Sequence, residues 1–225
     1  MRTIEELIEA VRREALRAEF PVDIPVYERA GKDPAMPILF AGSLDAPICV
    51  LGRDLGKDEV AVGEPLVGAG GRLVRSGLYE ARTGRPPAKS DKRLEPALEA
   101  AILTNTVPYK PPGNKAYAEG VKARFRPFVA ELLTVHWRGV RAISLGTEAF
   151  QWFARYADPA EAAAFWARED RYEAEFPCVL SVEVDGETIT KAITLAPLPH
   201  PSPLNQRWYG LFPGLLAQRL TAIRP

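Results

Sequence analysis

The sequence predicts an α/β protein in which a mostly parallel sheet lies between two layers of helices, a three-layer α/β/α sandwich. Short apolar runs of strand length alternate with segments of helical periodicity. The chain has 225 residues, of which 47% are hydrophobic, enough for one sizeable core. We therefore expect a single domain over residues 1–225, with an N-terminal helix and irregular segment over 1–45 and the core over 47–222.

Five apolar runs predict the strands of the sheet. They are short, and β-branched residues are common in them, as in buried strands. Asp185-Gly186, between the last two runs, is a hairpin turn signal. The predicted strands are 48–51, 101–103, 140–145, 179–184 and 188–195.

Six segments between and around these runs predict helices. The first is the clearest, because Thr3 and Glu6 form a capping-box pattern ahead of apolar residues at helical spacing. The predicted helices are 3–19, 72–81, 117–134, one that starts at Gly146 and buries Phe150, Trp152 and Phe153, 159–168 and 208–222. The proline-containing segment 21–37 and the segments 53–71 and 83–93 are expected to be irregular.

Composition limits the possible classes of function. The 29 basic and 29 acidic residues balance, so a polyanion could be held only by a local basic patch. Cys49 and Cys178 lie in apolar runs and are expected to be buried free thiols, too few for a four-thiolate metal site. No secretory segment or apolar run of about 18–20 residues is present, so we expect a cytoplasmic protein without membrane contact.

Three polar side chains follow predicted strands directly. Asp54, Asn105 and His200 each stand just past an apolar run, and ligands of open α/β sheets bind at the carboxyl ends of strands. Each residue also has an ordinary explanation as a turn or loop residue. The spacing alone therefore leaves a catalytic and a structural interpretation open.

Two segments resemble the classical uracil-DNA glycosylases. His200–Leu204 has the sequence HPSPL, which is similar to a motif of that family, and Arg207 and Gly210 follow at a similar spacing. Gly52–Asp54, with the sequence GRD, is similar to the family's GQD motif. The resemblance implies a uracil-DNA glycosylase-like fold and the removal of a damaged base from DNA.

Other segments resemble the thermophilic iron–sulfur branch of the same superfamily. Gly63–Leu73 is similar to that branch's glycine-containing stretch, and Thr104–Val107 with Lys110–Lys115 is similar to its next motif. The blocks occur in the same order from about residue 47 to residue 222. We therefore expect a member of the uracil-DNA glycosylase superfamily.

The resemblance implies a role for each matching residue. Asp54 would stabilise the developing sugar cation and orient water, Asn105 would read the flipped base, and His200 would donate a hydrogen bond to the leaving base. Leu204 would enter the emptied stack. Leu66 and Gly56 would complete the base pocket. The expected DNA contacts are Gly68, Gly70, Gly71, Ser202, Leu204, Arg207, Lys110 and Lys115. The partner would be uracil-containing DNA, single- or double-stranded, the protein a monomer, and the reaction free of metal and organic cofactor.

The sequence also departs from the family patterns. Tyr109 stands where the iron–sulfur branch has a cysteine, and Leu66 stands where a phenylalanine stacks on uracil. Gly56 replaces a tyrosine that rejects the thymine methyl group, so the pocket would accept bulkier 5-substituted uracils unless another side chain fills the gap. Arg53 replaces Gln or Glu and could pair with a phosphate, with Asp58 or Glu59, or with Asp54.

Three other functions remain open at this point. The first is a non-catalytic DNA or nucleotide binder of the same fold, which release of uracil from DNA would exclude. The second is a nucleotide-processing enzyme that uses Gly68–Gly71 as a phosphate loop, although the Lys-Ser/Thr of a P-loop is missing. The third is a scaffold. No lysine occupies a motif position as a Schiff-base nucleophile, so we expect a monofunctional glycosylase without a lyase step.

Overall fold

The computed structural model describes residues 1–113 and 115–223, with side chains through residue 221. Its six strands form one sheet in the order β1-β3-β2-β4-β6-β5. The strands are β1 Phe40–Ala41, β2 Ile48–Gly52, β3 Ala101–Asn105, β4 Arg141–Leu145, β5 Phe176–Val184 and β6 Glu187–Leu198. Strands β3, β2, β4 and β6 are mutually parallel, and β1 and β5 are antiparallel edges. The predicted mostly parallel sheet is confirmed.

Helices cover both faces of this sheet. They are α1 Ile4–Arg17, α2 Ile24–Ala30, α3 Lys57–Val62, α4 Ala69–Thr83, α5 Glu95–Ala100, α6 Glu119–Glu131, α7 Gly146–Ala154, α8 Pro159–Ala167, α9 Gln206–Tyr209 and α10 Phe212–Ile223. A π-helical turn, Leu132–His136, extends α6. On one face α1, α6, α7 and α8 pack on the strands, and on the other face α4, α5 and α10 do so. Alternate residues of β2 enter the two cores, which confirms the three layers.

Several predicted elements have the expected local chemistry. Thr3 Oγ1 accepts from Glu6 N while the Glu6 carboxylate accepts from Thr3 N, so the capping box at α1 is confirmed. Asp185 and Gly186 both have positive φ, as a two-residue hairpin turn requires. Both cysteines are buried and free. Phe150, Trp152 and Phe153 are at most 2% exposed and belong to the core.

Four short elements were not predicted. The segment 21–37 contains α2, because Pro25 lies at the start of that helix, where its missing N–H is harmless. Helix α3 lies inside the predicted loop 53–71, and α5, like the edge strand β1, follows a segment expected to be irregular. The predicted helix 208–222 is divided into α9 and α10. The four elements that were not predicted are only two to seven residues long, and periodicity cannot identify so short a segment.

Tyr109 and Asn114 belong to segments that resemble the iron–sulfur branch. Tyr109, at the position of a cluster cysteine in the iron–sulfur branch, is fully buried and donates a hydrogen bond to Ala35 O at 3.0 Å. Asn114 of the Lys110–Lys115 motif lies outside the described residues.

Within the described ranges, no group of three or more acidic, histidine or cysteine side chains could hold a metal ion. Nor does any described helix have the length and apolar character to cross a membrane.

Candidate active site

A cleft of about 790 Å³ opens at the carboxyl ends of the parallel strands. Asp54, Asn105 and His200, which follow β2, β3 and β6, all line this cleft, as their strand-end positions suggested. Most of the other expected site residues line it too, namely Gly56, Leu66, Gly68, Gly70, Gly71, Ser202 and Leu204. Lys110, Lys115 and Arg207 do not.

Asp54 is held beside Asn105 by the register of the sheet. Gly52, the last residue of β2, lies opposite Asn105, the last residue of β3. Thr106 closes the junction, because its N–H donates to Gly52 O and Arg53 O at 3.1 Å and its hydroxyl donates to Arg53 O at 2.6 Å. The backbone that carries Asp54 is therefore fixed to the end of β3.

The Asp54 carboxylate is buried in an unusual environment. Its side chain is 4% exposed, and Oδ1 accepts no hydrogen bond from any described residue. Arg53 Nε lies 2.8 Å from Oδ2. Burial raises the pKa of Asp54 above its usual value, and the Arg53 cation opposes this rise. An under-coordinated carboxylate of this kind is suited to meet a positive charge that develops in the cleft.

Asn105 presents a second unsatisfied oxygen. The residue is 2% exposed, and Oδ1 has no hydrogen-bond partner among the described residues. A Cβ on Gly52 would lie 2.8 Å from Asn105 Nδ2 and 3.0 Å from Leu66 Cδ2. Gly52 therefore leaves the space beside the end of β2 that the amide and the leucine occupy.

His200 is presented by a loop that folds on itself. Its carbonyl accepts from Ser202 N at 2.9 Å and from Asn205 Nδ2 at 3.1 Å. Gly146, with φ +81°, packs so closely that a Cβ there would lie 2.9 Å from His200 Cβ. The side chain lines the cleft, and the residue is exposed to solvent. Partial desolvation by the walls, together with the Arg53 cation, lowers the pKa of His200 below its usual value, which favours the neutral imidazole at pH 7.

The wall of the cleft between Gly56 and Gly71, which we call the glycine wall, is held by Glu59. The buried Glu59 carboxylate accepts from Gly56 N at 3.0 Å, Val67 N at 3.1 Å and Gly68 N at 2.9 Å. The Gly68 N–H, expected to bind phosphate, is therefore already engaged. A Cβ on Gly56 would lie 2.5 Å from Glu59 Oε2, so Glu59 fills the gap left by the missing side chain.

Leu66 is fixed in the same wall by a buried arginine. Leu66 adopts φ +55°, a left-handed conformation that is strained for a residue with a side chain. Arg75 Nε donates to Leu66 O at 2.8 Å, and Nη2 donates to Pro65 O at 2.8 Å and to Glu64 at 2.9 Å. These bonds hold the strained segment so that the leucine side chain reaches the cleft.

Gly70 and Gly71 allow backbone segments to meet. A Cβ on Gly71 would come closer than 3.0 Å to the Leu66 carbonyl group, and one on Gly70 equally close to Pro201 O. Both separations lie below any that real Cβ atoms show. The glycines therefore join the wall to Leu66 and to the loop that carries His200, a packing function that differs from the expected phosphate contact.

The remaining expected DNA contacts are distributed unevenly. Leu204 is 91% exposed at the rim, and Lys115 and Arg207 are exposed outside the cleft. Lys110 is 3% exposed, and its ammonium group donates to Asp23 Oδ2, Pro111 O and Gly113 O at 2.7 to 2.9 Å. All three of its protons are thus engaged inside the protein, which leaves none for a phosphate.

Sequence reasoning missed four residues that shape the site: Glu59, Arg75, Gly146 and Asn205. Glu59 and Arg75 occur in segments of ordinary polar composition, and only the fold brings their backbone partners within reach. Gly146 was recognised as the start of a helix but not as the neighbour of His200. A signal for Asn205 existed, since it directly follows the HPSPL motif.

Comparison with known proteins agrees with this geometry. A family model described as the uracil DNA glycosylase superfamily matches residues 40–224, which include the whole sheet and all cleft-lining residues. None of the curated proteins with which the chain was compared matches it. The family match supports a glycosylase, a hydrolase that acts on DNA, as the general class. Because the match spans most of the sequence, the chain belongs to the uracil-DNA glycosylase superfamily.

Proposed function

We propose that this protein is a monofunctional DNA glycosylase that hydrolyses the N-glycosidic bond of uracil, or of a modified uracil, in DNA. The observation that carries the proposal is the convergence of Asp54, Asn105 and His200 on one cleft, where Asp54 Oδ1 and Asn105 Oδ1 are buried without partners among the described residues. Buried polar atoms are rarely left unsatisfied unless a ligand or water completes them. In this proposal the enzyme acts as a monomer in cytoplasmic base-excision repair.

The first step is recognition of a base that has left the stack. A base inside a duplex cannot reach the strand ends of this cleft, so the nucleotide must be flipped, which costs a few kcal/mol. The edge of uracil carries an N–H between two carbonyl groups. The Asn105 amide, with one acceptor and two donors, can pair with that N–H and with one carbonyl. Leu66 then packs against the face of the base.

The second step is cleavage of the bond between base and sugar. The bond electrons leave with the uracil ring, and the sugar becomes oxocarbenium-like, as in the hydrolysis of O-glycosides. The ionised Asp54 carboxylate stabilises that cation, and water attacks the sugar carbon while Asp54 accepts the proton that the water loses. The neutral His200 imidazole donates one N–H to an oxygen of the departing uracil anion. One such preorganised donor typically contributes about 3–4 kcal/mol.

The pocket wall supports uracil as the first substrate to test. Gly56 alone would leave space beside the base, but Glu59 Oε2 stands where a side chain at that position would begin. The carboxylate therefore narrows the space that the missing side chain opens. A modified uracil with a hydrogen-bond donor on its substituent would meet an acceptor there.

The test is excision from end-labelled oligonucleotides, single- and double-stranded, that carry uracil, a thymine mismatch, hypoxanthine or 5-hydroxymethyluracil. Alkali then reveals abasic sites. We expect the wild type to release uracil and the Asp54→Asn and His200→Ala variants each to lose about 100- to 1000-fold in rate.

The chain offers a matched control for each variant. Asp45→Asn changes an exposed carboxylate at the amino end of β2, and His136→Ala changes the second histidine. Both controls should retain wild-type rates. A folded wild type that binds DNA but produces no abasic site from any substrate would overturn the enzyme and favour the non-catalytic binder.

A further inference from the structure

We propose that residues 82–93, which we call the basic loop, form a second DNA-binding surface that contacts the phosphodiester backbone beside the damaged nucleotide. The inference rests on the proposed function, since it takes DNA as the partner. It adds to that function a contact surface outside the cleft and outside the segments that resemble known motifs.

The charge of the basic loop stands out in a protein with no net charge. Its only acidic residue is Asp91, while five residues are basic: Arg82, Arg85, Lys89, Lys92 and Arg93. Arg82 and Arg93 form exposed ion pairs with acidic neighbours at 3.5 and 3.3 Å. Arg85, Lys89 and Lys92 are exposed and form no ion pair with any described residue. Three cations are therefore available to an external anion.

Hydrogen bonds order the backbone of the basic loop at both ends. Near the N-terminal end, Gly84 closes α4 in a left-handed conformation, and Arg85 N donates to Thr83 Oγ1. Near the other end, Asp91 Oδ1 accepts from Arg93 N at 3.1 Å and from Leu94 N at 2.9 Å. Binding would therefore order little backbone, which reduces its entropic cost.

The basic loop is joined directly to the glycine wall of the cleft. Arg72 Nη2 donates to Asp91 O at 3.2 Å. Arg75 Nη1 donates to Arg93 O at 3.4 Å, while Nε of the same guanidinium donates to Leu66 O. One side chain thus spans the distance between the basic loop and a residue that lines the cleft. A strand with its flipped nucleotide in the cleft would pass within reach of the loop.

Two of the other groups expected to bind phosphate are already hydrogen-bonded within the protein. The Gly68 N–H is engaged by Glu59, and the Lys110 ammonium group by Asp23 and two carbonyls. Affinity for DNA depends largely on lysine and arginine contacts to phosphates. The unpaired cations of the basic loop can supply contacts that these groups cannot.

The test is the salt dependence of DNA binding. Fluorescence anisotropy would measure the affinity of the full chain for a duplex with a stable abasic-site analogue, between 50 and 200 mM salt as a typical range. The double variant Lys89→Gln/Lys92→Gln should bind about tenfold more weakly at low salt, and its log–log salt slope should fall by about two. The control Arg13→Gln/Arg138→Gln removes the same charge from exposed sites away from the cleft.

The possible results separate the two proposals. Weakened binding and a reduced slope in the loop variant alone would support the surface. Equal slopes for the loop variant, the control and the wild type would overturn it. Uracil excision by the wild type, measured in parallel, decides the proposed function: binding without excision would overturn the enzyme but leave the surface to the salt slopes. A wild type that does not bind DNA would overturn both.

Discussion

The two sides of the cleft differ in whether their buried polar groups have hydrogen-bond partners within the protein. At the strand ends, Asp54 Oδ1 and Asn105 Oδ1 are buried and lack partners among the described residues. In the glycine wall, Glu59 accepts three backbone hydrogen bonds, and Arg75, which holds the wall, donates to three carbonyls and a carboxylate. Groups left unsatisfied mark where a ligand is expected, and fully bonded groups mark the frame that holds its pocket.

The difference also changes how the glycines of the wall are understood. A glycine-containing stretch at the start of a helix suggests anion binding. Here Gly70 and Gly71 instead permit close packing, and the N–H of Gly68 is occupied by Glu59. The wall acts as a support, while the proposed recognition and chemistry belong to the strand ends. The following predictions test this division, from the largest expected effect to the smallest.

Gly71→Ala should disrupt the packing of the glycine wall and lower the stability of the protein. The new Cβ would collide with the Leu66 carbonyl group, and a backbone collision cannot be relieved by a change of rotamer. We expect the free energy of unfolding, measured with urea, to fall by about 3 kcal/mol. The control is Gly120→Ala in α6, where nothing lies within 4 Å of the new Cβ, and which should stabilise by about 0.5–1 kcal/mol. Equal stability of the two variants would contradict the packing function of Gly71.

Glu59→Gln should weaken the wall without collapsing it. The amide nitrogen cannot accept the backbone N–H bonds that a carboxylate oxygen accepts, so at least one N–H loses its partner. We expect the free energy of unfolding to fall by about 1–3 kcal/mol and KM for a uracil oligonucleotide to rise. The adjacent, exposed Asp58→Asn should change neither quantity. If both variants behave like the wild type, Glu59 does not support the pocket.

Arg53→Gln should alter the strand ends and leave the wall intact. The Arg53 cation opposes the rise in the pKa of Asp54 caused by burial, so its removal raises that pKa further. In the proposed mechanism excision requires the ionised carboxylate, which is lost as pH falls through the pKa. The acidic limb of the pH–rate profile should therefore move to higher pH, while Arg53→Lys should keep it near its wild-type position. An unmoved limb in Arg53→Gln would mean that Asp54 does not control it.

The same raised pKa affects stability. Because the carboxyl group of Asp54 holds its proton more tightly in the folded state than in the unfolded state, ionisation of Asp54 opposes folding. Its contribution is therefore most favourable at low pH and is lost as pH rises through the folded-state pKa. This destabilising carboxylate lies at the strand ends, as the catalytic role proposed for Asp54 leads us to expect.

Much of the fold follows from patterns that are local in the sequence. The apolar runs of β2, β3, β4, β5 and β6 and the capping box of α1 act over a few residues, so the sequence predicted them. The strand-end positions of Asp54, Asn105 and His200 follow from the same pattern, since carboxyl ends of parallel strands share one edge. Helices α2, α3 and α5 were missed because they are too short for periodicity and are held by tertiary contacts.

The sequence by itself therefore determined the α/β class, five of the six described strands and which polar residues meet at the cleft. Only the tertiary structure decided which partners the neighbouring charged groups bind. Lys110 pairs with Asp23, 87 residues earlier, and Arg75 links Leu66 to Arg93 across two loops. A cation or a glycine N–H can bind a ligand or can bond to a distant part of the chain. The outcome depends on which atoms the fold brings within about 3 Å of the group, and no local sequence pattern encodes that distance.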